Sequence, residues 1–324
     1  MQSFTWINAK SIEEVKGALA KHGKKARIFA GGGDLTTLMK ERIDTPEFVV
    51  NIGDVKDIHY IREEKDGLHI GAMTILADLA EHEAVLGRYT ALAEAAGAVA
   101  SPQLRNMGSI GGNLCQRPRC WYYRGAFHCY KKGGDFCFAV TGDNRYYHSI
   151  LKGELCYMVH PSDTAVALLA LDARITIAGP QKEKTVKAED FFIGPRQDVL
   201  RENILQPAEL ITEIVVPTPP ANTRSTFLKT RIRGSWDFAL ASVAVRCTAK
   251  NGVCQAARLA LGGVAPVPLR VERAERALAG KKITRELSQQ AAQLATAGAR
   301  PMTMNRYKVD LTRSLVEKAL LAVA

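Results

Sequence analysis

The sequence has no run of roughly 18 uninterrupted apolar residues, so no segment has the length to cross a bilayer as a helix. Met1 to Lys10 shows no basic stretch leading into an apolar core, which sets the expectation of a chain without an export signal of its own. No internal repeat is visible, and an apolar content of 47% is too high for a disordered chain. Cysteine is scarce and unevenly placed: there are seven, all between Cys115 and Cys254, and five of them fall between Cys115 and Cys156. An odd number without an export signal argues against a disulfide framework and for reduced thiols or metal ligands in a cytoplasm-like compartment. No C-x2-C pair occurs, the knuckle on which structural zinc sites are usually built. The spaced G-x-G-x-x-G of dinucleotide-binding β-α-β units is also missing, as is any obvious pairing of a nucleophile with a base.

What is present is a chain of 324 residues, enough for two or three packed units, with a net charge of +11. That charge suits nucleic acid, an acidic membrane surface or an acidic protein partner, and alone it chooses none of them.

Ser11 with Glu14, then Val15, Ala18, Leu19 and Gly23, reads as a capped amphipathic helix between strands near Phe4 and Ile28, a β-α-β opening. Phe48 to Ile52, Ile58 to Arg62 and Leu68 to Ala72 are short and β-rich, with Asp66-Gly67 as the turn of a hairpin. Helical spacing predicts helices over Ile75 to Glu83 and Ala91 to Ala100. From Cys115 to Lys152 both periodicities vanish among Gly, Arg, Lys and aromatics, the pattern of an insertion stabilised by something other than an apolar core. A helix over Thr164 to Asp172 and a strand over Ile175 to Ala178 follow. Pro217-Thr218-Pro219-Pro220 reads as a linker. Beyond it come strands at Ser225 to Arg231, Ala239 to Cys247 and Ala256 to Leu261, then helices at Leu269 to Ala279, Glu286 to Ala297 and Leu311 to Val323, an α+β module.

Four constellations bear chemistry. The first is Cys120, Cys129, Cys137 and Cys156, spaced C-x8-C, C-x7-C and C-x18-C. Iron–sulfur clusters tolerate such wide spacing because the sulfurs need only converge in the fold; zinc and a loop of free thiols are the competing readings. Seven Lys/Arg and two Asp between Gln116 and Lys152 supply positive charge that would offset a thiolate-bound cluster. Cys115, Cys247 and Cys254 read as ordinary half-buried thiols.

The second constellation is Ala30-Gly31-Gly32-Gly33-Asp34-Leu35, after the strand residues Ile28 and Phe29 and before a helical segment, where free backbone N–H groups can meet a phosphate; a plain tight turn is the alternative. The third runs from Gln103 through Asn106, Gly108, Ser109, Ile110, Gly111, Gly112 and Asn113 to Leu114, a second glycine-rich stretch that could clasp the other half of a dinucleotide or simply turn sharply under a sheet. The fourth is His160-Pro161-Ser162-Asp163, where Ser162 and Asp163 suit helix capping.

The pairing of Ala30-Gly31-Gly32-Gly33-Asp34-Leu35 with Met107-Gly108-Ser109-Ile110-Gly111-Gly112-Asn113-Leu114 resembles the FAD-binding medium subunit of the molybdenum hydroxylases, the family of xanthine dehydrogenase, aldehyde oxidoreductase and aerobic carbon monoxide dehydrogenase. The resemblance continues through Phe227-Leu228-Lys229 with Arg231, Arg233 and Asp237-Phe238-Ala239, and through Leu261-Gly262-Gly263-Val264-Ala265. It implies an α+β fold: a two-part, vanillyl-alcohol-oxidase-like (PCMH-type) FAD-binding domain over 1–217, with an iron–sulfur insertion at 115–156, then an α+β domain of the CO dehydrogenase flavoprotein type over 222–324. The insertion is similar to the [4Fe-4S]-bearing branch, that of 4-hydroxybenzoyl-CoA reductase β subunits and a bacterial periplasmic aldehyde oxidoreductase. Matching Arg119-Cys120-Trp121-Tyr122-Tyr123 and Cys129-Tyr130-Lys131-Lys132 to that branch selects the same four ligands, and the long last spacing to Cys156 is more like the aldehyde oxidoreductase type.

The resemblance further implies that Ile28 to Leu35 and Ser109 to Leu114 grip the FAD pyrophosphate and ribityl chain, that Asp163 contacts the flavin and that Lys229 lies near its ring. No residue of this chain would be catalytic toward substrate. A molybdopterin-binding large subunit would transform substrate, a [2Fe-2S] small subunit would relay electrons, and FAD here would exchange them with a carrier such as ferredoxin, in a heterotrimer or a dimer of heterotrimers. The expected compartment is cytoplasmic, or periplasmic if a partner subunit carries an export signal. Two other classes stand beside this: a zinc-stabilised nucleic-acid-binding protein, suggested by the charge and by Trp121, Tyr122, Tyr123, Tyr146 and Tyr147 among Arg and Lys, and a free-standing flavin oxidase.

Overall fold

The computed structural model describes residues 1–324. Its first sheet is parallel, with β1 (Thr5–Asn8), β2 (Ala26–Phe29) and β3 (Phe48–Asn51) in the order β1-β3-β2. The crossover from β1 to β2 is the helix Ile12–His22, which starts where Ser11 Oγ accepts the Glu14 N–H and ends at Gly23, with Val15 and Leu19 buried on its inner face.

The second sheet is antiparallel and five-stranded, with β4 (Ile61–Glu64), β5 (Gly67–Gly71), β6 (Arg174–Ala178), β7 (Glu183–Lys187) and β8 (Leu210–Pro217) in the order β4-β5-β8-β6-β7. Its core packs on the helices Thr90–Gly97 and Asp163–Ala170. All eight residues of Asp163–Ala170 are buried, because the third sheet covers the other side of its apolar run Ala165 to Ala170. That sheet is antiparallel, with β9 (Thr223–Thr230), β10 (Ala241–Lys250), β11 (Val253–Gly262) and β12 (Leu269–Arg270) in the order β12-β11-β10-β9. Helices Glu272–Leu278, Arg285–Thr296 and Tyr307–Ala322 close the second core against it. No helix is long and apolar enough to cross a membrane.

The structure corrects several sequence expectations. The strand expected at Ile58 to Arg62 begins only at Ile61, after a short helical turn at Lys56–Ile58. The helix expected over Ile75 to Glu83 is broken at His82 into Leu76–Glu81 and Glu83–Arg88. Leu269 and Arg270 form β12, so the following helix starts at Glu272. Pro217, read as linker, is the last residue of β8, where it pairs with Gly67 at the end of β5. Cys247 and Cys254 are fully buried rather than half-buried.

Residues 115–162 carry little regular structure: two short helical turns, Trp121–Arg124 and Tyr130–Lys132, and a bridge between His148 and Met158. This segment is tied to the C-terminal helices through its backbone. The buried Lys308 ammonium donates to the carbonyls of Tyr146, His148 and Gly263 at 2.9, 2.9 and 2.6 Å. Asn305 donates to the carbonyls of His148 and Ser149, and Asn144 Oδ1 accepts the Met304 N–H. Irregular backbone needs such partners because its buried carbonyls have no ladder to join.

Candidate flavin cleft and thiol cluster

The first glycine-rich loop leaves β2 and turns into the helix Leu35–Lys40. Gly32 has φ +71°, a left-handed conformation that favours glycine, and the N–H groups of Gly31, Gly32, Gly33 and Asp34 donate to no protein acceptor. A Cβ on Gly31 would stand 1.9 Å from the Met107 carbonyl oxygen, so the first loop packs backbone to backbone on the second. Nothing lies within 4 Å of the Cβ position of Gly33, which faces open space. Four neighbouring donors without acceptors, beside that space, fit the pyrophosphate of a dinucleotide.

The second loop is built differently. Its N–H groups are already used: Ile110 donates to Thr74, Gly111 to Ala72, Gly112 to Ser109 Oγ and Asn113 to the Ser109 carbonyl. A Cβ on Gly111 would lie 2.9 Å from the Ala72 carbonyl oxygen, so that glycine is needed for packing on the sheet. What this loop can offer a ligand is side chains and shape. Asn113 Oδ1 accepts from Ser162 Oγ and Thr164 Oγ1 at 2.6 and 2.7 Å, which locks the second loop to the helix Asp163–Ala170 and leaves the Asn113 amide nitrogen without a protein partner. Ser162 Oγ caps that helix by accepting the Ala165 N–H. Asn106 caps the short helix Pro102–Arg105, away from these bonds.

Asp163 and Lys229 meet at 2.6 Å, with side chains only 5% and 4% exposed, and join that helix to β9. Lys229 also donates to the Ala98 carbonyl. Burial pushes the Asp163 carboxyl up from its usual range, and Lys229 pulls against it.

Asp34 is the unexpected member. Its Oδ1 binds Arg119 at 2.9 Å and Arg124 at 2.7 Å, and its Oδ2 accepts the Arg117 N–H at 2.6 Å. Both oxygens are thereby committed to the cysteine-bearing segment, so this residue fastens that segment to the first loop.

Cys120, Cys129, Cys137 and Cys156 line one small apolar cavity with Tyr122, Phe138 and His148. Cys120, Cys129 and Cys156 are buried, and Cys137 is partly so. Burial pushes the Cys120 thiol up to about 12 and the Cys156 thiol up to about 11, so neither is a reactive thiolate by itself. A cation or cationic cluster is what would hold such sulfurs in their ionised form. The three potential ligand atoms that lie within 4.8 Å of one another belong to Glu64, Asp66 and His69 on the β4–β5 hairpin. No three of the four thiol sulfurs lie within 4.8 Å of one another. His148 Nε2 sits 3.3 Å from Cys120 Sγ, and burial with Lys308 nearby pushes its ring down to about 4, so the imidazole is neutral. Tyr123 and Lys131 form the wall between this cavity and a polar cleft of about 450 Å³ that is also lined by Arg27, Arg42, Arg117 and Lys132. Lys131 is itself paired with the buried Glu202 at 2.6 Å.

Residues 2–219 match the family described as the FAD binding domain in molybdopterin dehydrogenase, and residues 226–323 match the CO dehydrogenase flavoprotein C-terminal domain. The chain is similar to the aldehyde oxidoreductase FAD-binding subunit PaoB of Escherichia coli strain K12, at 33% identity over 99% of this chain and 98% of that protein. It is also similar to the carbon monoxide dehydrogenase medium chain of Hydrogenophaga pseudoflava, at 31% identity over 98% of this chain and 96% of that one. A solved structure of carbon monoxide dehydrogenase from Hydrogenophaga pseudoflava superposes with a TM-score of 0.80 at 30% identity, covering 99% of this chain and 96% of that chain. The α+β architecture that the family resemblance implied is therefore the one found. On these matches, the chain belongs to the FAD-binding medium subunits of the molybdenum hydroxylase family, whose members are oxidoreductase subunits.

Proposed function

We propose that this chain is the electron-transferring FAD and [4Fe-4S] subunit of a molybdenum hydroxylase complex of the aldehyde oxidoreductase kind, with substrate chemistry on another polypeptide. In this reading FAD occupies the 1–217 region and a cluster held by Cys120, Cys129, Cys137 and Cys156 occupies the 115–156 insertion, ahead of a C-terminal domain over 222–324. FAD and the cluster, when bound, supply two-electron and one-electron redox chemistry respectively, and the protein binds, orients and tunes them. The free N–H groups of Gly31 to Asp34 hold the pyrophosphate, Asn113 presents its amide to the cofactor, and the Asp163–Lys229 pair sets polarity beside the flavin. The partners are a molybdopterin-binding large subunit, a [2Fe-2S] small subunit and an acidic electron carrier.

The observation that carries the reading is the convergence of four cysteines, drawn from 37 positions of irregular chain, on one buried apolar cavity. Similarity to the PaoB subunit over nearly the whole chain supports the aldehyde oxidoreductase kind. The cleft behind Tyr123 and Lys131 supports an acidic carrier, since its five Lys and Arg outnumber its carboxylates Glu41 and Asp44 and the excess positive charge would speed encounter with negative surface. Purifying the complex with its partner subunits and titrating it with aldehydes, purines and aromatic thioesters tests the substrate class. Turnover of aldehydes with electrons delivered to ferredoxin supports the reading, whereas turnover confined to aromatic thioesters favours the benzoyl-CoA reductase kind.

A further inference from the structure

We infer that His148 donates an N–H···S hydrogen bond from Nε2 to the Cys120 sulfur and thereby raises the reduction potential of the cluster that Cys120 helps to hold. The inference rests on the four-thiol reading proposed above. His148 and Cys120 are both buried, and Nε2 stands 3.3 Å from Sγ. A sulfur bound to iron is a thiolate and can only accept, so the shared proton must sit on the ring. The other ring nitrogen, Nδ1, makes no hydrogen bond of full geometry, and the Asn144 backbone draws only weakly on the ring, so the bond to the thiolate fixes the single proton on Nε2.

The ring is placed by the far domain. The His148 carbonyl accepts from Lys308 Nζ at 2.9 Å and from Asn305 Nδ2 at 3.3 Å, and both donors stand at the entrance to the C-terminal helix Tyr307–Ala322. On its other side His148 bridges Met158, two residues beyond Cys156. Residue 148 thus lies between the segment carrying Cys120 and the segment carrying Cys156, with its backbone clamped from outside the insertion. A hydrogen bond to a ligand sulfur withdraws electron density and favours the more negative, reduced cluster, so it raises the potential. His148 acts through Cys120 and is a positioning and tuning residue.

The test uses the intact complex carrying His148→Leu or His148→Gln, with iron, sulfide and FAD measured on the same samples used for an EPR-monitored redox titration. Both variants should keep wild-type iron and FAD. In the His148→Leu variant the ratio of reduced to oxidised cluster at the wild-type midpoint should fall about tenfold, ~59 mV for a one-electron couple. His148→Gln, which retains an N–H donor, should restore most of that shift. An unchanged midpoint in His148→Leu overturns the inference, as does iron loss confined to the His148 variants, which would mark a ligand. Wild-type complex without a [4Fe-4S] signal defeats the four-thiol reading itself, and the inference with it. Should His148→Leu fail to fold, wild-type protein labelled with ¹⁵N only at histidine serves instead. A weak ¹⁵N coupling to the reduced cluster, lost in His148→Gln, supports the bond, and no coupling overturns it.

Discussion

Asp34, the acid that closes the first glycine-rich loop, is bonded to Arg124 of the cysteine-bearing segment at 2.7 Å. With Arg119 on the same oxygen, the loop whose free N–H groups suit a pyrophosphate and the segment whose thiols share a cavity are one electrostatic unit. Asp34→Asn keeps the shape and removes the charge, leaving the mostly buried Arg119 without its paired anion and Arg124 with only Glu41 at 3.8 Å. Partial exposure places the cost below that of a fully buried broken pair, at about 2–3 kcal/mol. Urea unfolding should show that loss, together with weaker retention of both FAD and iron; loss of FAD alone would contradict the linkage.

Two glycine substitutions separate packing from binding. Gly31→Ala would drive a methyl into the Met107 carbonyl, so it should lower the melting temperature even without FAD. Gly33→Ala meets nothing within 4 Å and should leave the apo protein within about 0.5 kcal/mol of wild type. Both should weaken FAD binding, read by flavin fluorescence. A Gly33→Ala variant with unaltered affinity would show that the open space beside Gly33 is not where the cofactor lies.

Lys229→Met removes the partner of a carboxylate that is only 5% exposed. An unpaired buried charge costs about 3–5 kcal/mol, and the double variant Lys229→Met with Asp163→Leu should recover most of it by removing both charges. Chemical denaturation of the four proteins gives the coupling directly. Equal stability of the single and double variants would mean that the pair does not bind the helix Asp163–Ala170 to β9.

His160 is fully buried, and burial, with Lys131 adding repulsion, pushes its ring down to about 3. A depressed folded-state value means that stability is complete above the unfolded value of about 6.5 and is lost as pH falls toward 3, because only the unfolded chain takes up the proton. Between pH 6.5 and pH 5 this group should therefore cost about 2 kcal/mol. His160→Gln should flatten the corresponding part of the stability profile, and an identical slope in wild type and variant would contradict the assignment.

The glycine loops and the clustered cysteines were legible in the sequence because each is a local demand: backbone that no side chain would tolerate, and sulfur crowded into chain without periodicity. The helix Asp163–Ala170 was legible for a similar reason, a short apolar run opened by Ser162. β7 was not, since Glu183–Lys187 alternates exposed charges along a sheet edge and gives almost no apolar signal. β8 was hidden by Pro217, which belongs to the strand end although its neighbours read as linker. The bonds from Asp34 to Arg119 and Arg124 join residues more than 80 positions apart, and nothing in either stretch announces the other. The same holds for Lys308, whose three carbonyl partners are set by the third dimension alone.

The central claim is that one polypeptide holds both a flavin and an iron–sulfur cluster, and Cys129→Ser in the intact complex tests it most directly. Against the wild-type complex, iron should fall by up to about four per FAD with the matching visible absorbance and the [4Fe-4S] signal lost, while FAD stays bound and the partner subunits' [2Fe-2S] signals persist. Iron content and signals identical to those of the wild type would contradict the account.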